Sequence, residues 1–114
     1  MRGKSIHICC LSGEVEVILH QSILEILVCD ERGNRICFIT TYQEARVWAE
    51  AIWNSPPDER RVQLTNGSLK VRIERLPQAL CLCAVDTLSG PEVEVRLNTL
   101  QAATLSLNLL HPVA

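Results

Sequence analysis

The chain alternates between two hydrophobic spacings, and the alternation occurs twice. Ile6 and Ile8, then Val15 and Val17 set between Glu14 and Glu16, place apolar side chains at every second position, the spacing of a strand with one buried face. A turn signal, Ser12-Gly13, separates them. Residues 23–29 are apolar on both faces, as a central strand is, and run into the turn-forming stretch 30–34, where Gly33 or Asn34 supplies the positive φ that hairpins require. Residues 35–40 form a fourth strand. The period then changes. Ala45, Trp48, Ala49, Ile52 and Trp53 lie at i, i+3, i+4, i+7 and i+8, one stripe of a helix. Thr41 with Glu44 three residues later forms a capping signal at its start, and Pro56-Pro57 ends it.

The same order then begins again. Val62 and Leu64 precede Asn66-Gly67; Leu69, Val71 and Ile73 alternate with Lys70, Arg72 and Glu74; residues 79–85 form the second apolar run, closed by Asp86. After the turn 86–91, Val93, Val95 and Leu97 alternate with Glu92, Glu94 and Arg96. Asn98 and Gln101 repeat the capping signal, and Leu100, Ala103, Leu107 and Leu110 form the second helical stripe before Pro112. Corresponding features lie 54 to 58 residues apart, which marks an internal duplication. The predicted fold is α+β: two tandem ββββα units, an antiparallel sheet packed with two helices. One domain covers residues 1–114, with repeats at 5–54 and 60–111 and a linker at 55–59. If the turns are equivalent, Gly13→Val and Gly67→Val should harm folding similarly.

Length and composition narrow the class. A chain of 114 residues suits one core that buries roughly two-thirds of the unfolded surface. Hydrophobic residues make up 47% against 21% charged, rather oily for a small soluble monomer and incompatible with disorder. No apolar run reaches the roughly 20 residues of a membrane helix, and the basic start Met1-Arg2-Gly3-Lys4 leads into a stretch too short for a secretion signal. The expected location is the cytoplasm. Cys9, Cys10, Cys29, Cys37, Cys81 and Cys83 all fall in strand-like apolar runs, which predicts reduced, buried thiols rather than a disulfide framework. The net charge of −2 is spread evenly: five Lys/Arg and seven Asp/Glu up to Ser55, six of each from Pro56 onward.

Candidate chemistry is sparse. His7, Cys9 and Cys10, joined by His20 or by Cys81 and Cys83, make a conceivable zinc set, but Cys9 and Cys10 are adjacent on a strand and point to opposite faces. Neither a metal nor another cofactor is expected. The only histidines able to serve a nucleophile are His7, His20 and His111, and no nucleophile elbow, phosphate loop or zinc-protease motif occurs. An enzyme is not expected.

The unit of four strands and a helix, present twice, resembles the fold of the Whirly and Pur families and of the transcriptional positive cofactor family. The resemblance covers the whole chain and rests on element order. It implies a curved sheet that holds single-stranded nucleic acid, with helices pairing at a pseudo-twofold. The residues that fit this reading are Arg60, Arg61, Lys70, Arg72 and Arg75, a basic stripe without interleaved aromatics. Glu14 and Glu16 occupy the matching stripe of the first unit.

The apolar excess points elsewhere. Ala102, Leu105 and Leu109 lie off the main stripe of the second helix, and Val47 off that of the first, as on helices buried on more than one side. The preferred expectation is a non-enzymatic protein-binding or regulatory module that self-associates as a homodimer, with Val47, Ala102, Leu105 and Leu109 at the interface. A single-stranded nucleic-acid binder is the alternative.

Overall fold

A computed structural model describes residues 5–53, 61–88, 90 and 92–110. Arg60, His111 and the linker 55–59 lie outside the described residues. The first unit comprises β1 (Ser5–Cys9), β2 (Glu14–Leu19), β3 (Ile23–Cys29), β4 (Arg35–Thr41) and α1 (Tyr42–Trp53). The second comprises β5 (Arg61–Asn66), β6 (Leu69–Arg75), β7 (Leu80–Asp86), β8 (Glu92–Leu97) and α2 (Thr99–Leu110). Each set of four strands is its own antiparallel meander, ordered β1-β2-β3-β4 and β5-β6-β7-β8. The fold is α+β in tandem ββββα order.

Strand register aligns the two units. Ile8 and Leu64, Val15 and Val71, Leu24 and Leu80, and Asp30 and Asp86 occupy corresponding places 56 residues apart. One extra residue in the β7–β8 turn makes the spacing 57 from β8 onward, so that Thr41 matches Asn98. Both predicted capping boxes form. Glu44 N–H donates to Thr41 Oγ1 and Thr41 N–H to Glu44 Oε1, each at 3.1 Å; Gln101 N–H donates to Asn98 Oδ1 at 2.8 Å and Asn98 N–H to Gln101 Oε1 at 2.9 Å. Each box satisfies two amides that a helix start leaves without partners.

Alternation sends Val15, Val17, Leu24, Ile26, Ile36 and Phe38 to the inner face of one sheet and Val71, Ile73, Leu82, Ala84, Val93 and Val95 to the inner face of the other. With Ala45, Trp48, Ala49 and Ile52 of α1 and Leu105 and Leu109 of α2 they form one cluster drawn from both units. Phe38 meets Trp48 edge to face at 5.0 Å. The units also touch through backbone: Leu11 N–H donates to Arg96 C=O at 2.8 Å, and Arg96 N–H to Ser12 Oγ at 3.1 Å. The helices pack on each other. Ser106 Oγ donates to Ala49 C=O at 3.0 Å, and Ile52 and Trp53 share a cavity with Ala102 and Ala103, so the helices run antiparallel. Gln101 Nε2 ties α2 to the first unit by donating to Cys9 C=O at 2.6 Å.

Three expectations need correction. The core-facing stripe of α2 is not Leu100, Ala103, Leu107 and Leu110: Leu105, Ser106 and Leu109 are the buried residues, while Leu100 is 75% and Leu107 56% exposed. Leucines on several sides of this helix satisfy helical spacing in more than one phase, and the packing selects the phase that apposes α1. The cysteines are not uniformly buried either; Cys83 is buried, Cys9 is exposed and the other four are half-buried. Cys9, Cys29, Cys37, Cys81 and Cys83 take the outward phase of their strands, where of these five only Cys83 is fully covered by neighbouring side chains. Lastly, Gly13 and Gly67 are not equivalent. The β1–β2 connection has four residues, 10–13, and the β5–β6 connection two, 67–68. A Cβ on Gly13 would lie 2.2 Å from Cys29 O and 2.7 Å from Val95 Cγ1, whereas one on Gly67 meets nothing within 4 Å.

Candidate interaction surface

The outward faces of the two sheets differ in charge. On the second sheet, cross-strand partners place Thr65, Lys70, Val85 and Glu92 in one row and Gln63, Arg72, Cys83 and Glu94 in the next. A third row runs Glu74, Cys81, Arg96, and the backbone of Arg61 pairs with that of Glu74 in the ladder. The predicted residues Lys70 and Arg72 thus stand together on an open face, but acids interrupt them. Gln63, Lys70, Arg72, Cys83, Val85 and Glu92 line a shallow depression of about 190 Å³. Arg75 takes no part in that face. It lies in the inward phase of β6, and its guanidinium donates to the carbonyls of Ile52 at 2.6 Å and Trp53 at 3.3 Å, covering the end of α1 where carbonyls lack intrahelical partners.

The first sheet is acidic on the same side. Glu14 and Glu16 bracket His7, with Nδ1–Oε1 at 2.5 Å and Nε2–Oε2 at 2.9 Å, and Glu25 follows on β3, 3.0 Å from His20 Nε2. Among the described residues no group of three or more His, Cys, Asp or Glu side chains is arranged to hold a metal. Cys81 and Cys83 of the second sheet are chemically quiet. Burial, reinforced by hydrogen bonding and charge from Glu92, pushes the Cys83 thiol up to about 12, and its Sγ donates to Glu92 Oε1 at 2.7 Å. Burial and the Glu94 carboxylate push Cys81 to about 11. Thiols held protonated in this way are poor nucleophiles and poor metal ligands.

The helices carry the larger anomaly, and the duplication supplies its own control. Aligned at their caps, α1 and α2 superpose Ala45 on Ala102, Trp48 on Leu105, Ala49 on Ser106 and Ile52 on Leu109, the faces turned to the core. The remaining stripe pairs Gln43 with Leu100, Arg46 with Ala103, Glu50 with Leu107 and Trp53 with Leu110; Leu100 and Leu107 are exposed, Ala103 is half-buried and Leu110 packs partly against the core. One fold position is therefore polar in the first unit at three of four places and apolar in the second at all four. Folding does not demand leucine there, since the first unit does without it. No residue of α2 is charged. Trp53, 59% exposed, leans over the same area and lines an apolar groove of about 220 Å³ with Ala49, Glu50, Ser106, Leu107 and Leu110.

Of the four expected interface residues, Leu105 and Leu109 have no exposed surface, because they fill the space between α2 and the rest of the core. Ala102 packs partly against that core. Val47 is half exposed beside Leu64 and Thr65 of β5. The exposed apolar side chains of the two helices on this side are Leu100, Leu107 and Trp53, with Ala103 half-buried among them. The sequence signal for them was present in the helices compared position by position from their caps. No protein-family model matches the chain, and comparison with curated proteins gives no match. None of the helices among the described residues is long and apolar enough to cross a membrane.

Proposed function

We propose that this chain is a non-enzymatic protein-binding or regulatory module that self-associates, and that the outward stripe of α2 is its contact surface. The observation that carries the reading is the exchange of Gln43, Arg46 and Glu50 for Leu100, Ala103 and Leu107 at equivalent places in one fold. Isolated exposed leucines are ordinary, but a contiguous apolar area on a helix without charge marks a contact site. The six free cysteines support work in the reducing interior of a cell. Sedimentation velocity over a wide concentration range tests the reading. The wild type should associate with rising concentration, and a variant carrying the first unit's residues, Leu100→Gln with Leu107→Glu, should stay monomeric with unchanged far-UV circular dichroism. Equal association by both proteins would refute it.

The alternative is single-stranded nucleic-acid binding of the Whirly, Pur and positive cofactor kind, favoured by the element order and by Lys70 and Arg72 sharing an open sheet face. Glu74, Glu92 and Glu94 among them weigh against it, since each opposes phosphate. Anisotropy of a labelled oligonucleotide at low salt separates the readings: saturable binding that weakens steeply with salt, and is lost with Lys70→Ala and Arg72→Ala, would favour the alternative.

A further inference from the structure

Resting on the reading of α2 as a self-association surface, we propose that two copies pair about a twofold axis with their α2 helices antiparallel, Ala103 of each copy facing Leu107 of the other. Leu100, Ala103, Leu107 and Leu110 are spaced 3, 4 and 3 residues apart, the a/d spacing of a helix seam in which side chains interdigitate. A twofold contact is self-complementary, so each residue meets its counterpart in the register that the axis sets. In the antiparallel register centred on Leu105, Leu100 meets Leu110 and the small Ala103 meets the large Leu107. A parallel register would set Ala103 against Ala103 and leave a gap, and it would align the helix dipoles unfavourably.

Two further observations fit a second copy of this chain rather than a charged partner. α2 carries no charge of its own; the charged residues lining the cavities beside it are Glu50, with Leu107, and Arg75, with Ala103, opposite signs that the antiparallel register sets across from each other. Trp53 lines both the groove with Leu107 and Leu110 and the neighbouring cavity of about 320 Å³ with Ala102 and Ala103. It therefore stands beside both residues that face each other across the axis, and the two copies bring their Trp53 side chains to the middle of the contact. Large aromatic anchors at the centre of a contact contribute most of its binding energy.

The test is a charge exchange read by light scattering after size exclusion. Ala103→Lys alone and Leu107→Glu alone should each weaken the dimer about tenfold or more. Ala103 borders the open cavity and Leu107 is largely exposed, so both variants should keep the wild-type circular dichroism spectrum. The double variant, Ala103→Lys with Leu107→Glu, should dimerise again, because the antiparallel register pairs each lysine with a glutamate of the other copy. An equimolar mixture of the two single variants should form heterodimers for the same reason. If the wild type dimerises but neither the double variant nor the mixture recovers, the register is wrong while the surface stands. A wild type that stays monomeric at all concentrations overturns the underlying reading as well.

Discussion

Replacing a turn glycine by alanine separates backbone strain from packing in this fold. Gly13 has φ of +96° and Gly67 of +61°. At Gly67 an alanine enters the left-handed region, which costs an L-residue about 1–2 kcal/mol, while the stiffer unfolded chain returns about 0.4–1 kcal/mol. Open space surrounds its Cβ, so the net loss is about 1 kcal/mol. At Gly13 the same backbone cost applies at a φ farther from the left-handed optimum. The new Cβ would also lie 2.2 Å from the carbonyl oxygen of Cys29 and 2.7 Å from Val95 of the other unit. Neither β3 nor β8 can retreat without disturbing its ladder, and overpacking of this kind adds about 1–3 kcal/mol. Gly13→Ala should therefore cost about 3 kcal/mol or more. In thermal unfolding followed by circular dichroism, Gly67→Ala should lower the melting temperature by about 4 °C and Gly13→Ala by more than about 10 °C. Losses equal within about 0.5 kcal/mol would refute the packing of the β1–β2 turn against β3 and β8.

Thr40 Oγ1 is buried and has no hydrogen-bond partner among the described residues; Thr40→Val keeps the shape of the side chain and should raise stability by about 1 kcal/mol in urea titration. Removing either helix cap, Thr41→Ala or Asn98→Ala, should cost about 1 kcal/mol by the same assay, because the two boxes share one geometry. Thiol labelling followed by mass spectrometry should find Cys9 first, since it is the exposed cysteine. Cys81 and Cys83 should resist until the protein unfolds. Their raised thiol pKa values mean that the folded state keeps protons the unfolded chain has lost, so stability should decline as pH rises from about 9 towards 11 or 12; Cys81→Ala with Cys83→Ala should flatten that decline.

Element order, the duplication and both capping boxes were legible because each depends on local spacing: period two, period 3.6, and polar residues three apart at Thr41 and Asn98. The phase of α2 was not. Leu100, Ala103, Leu107 and Leu110 make as good a stripe as Ala102, Leu105 and Leu109, and only contact with α1 through Ser106 and Ala49 chooses between them. Cysteine burial failed for a related reason. The run 79–85 is apolar on both faces, yet just one face of β7 meets the core, leaving Cys81 under the partial cover of its neighbours. Arg75 was read with Lys70 and Arg72 from proximity in sequence, although its odd spacing from both puts it on the opposite face, where it reaches the end of α1.

Hydroxyl-radical footprinting of the wild-type chain at low and high concentration tests the account most directly, because it reads side-chain exposure residue by residue. Leu100, Leu107 and Trp53 should lose reactivity as concentration rises, while Leu88, 86% exposed on the β7–β8 turn, should react equally at both. Unchanged reactivity of Leu100 and Leu107 at concentrations where the chain associates would contradict the assignment of α2 as the contact surface.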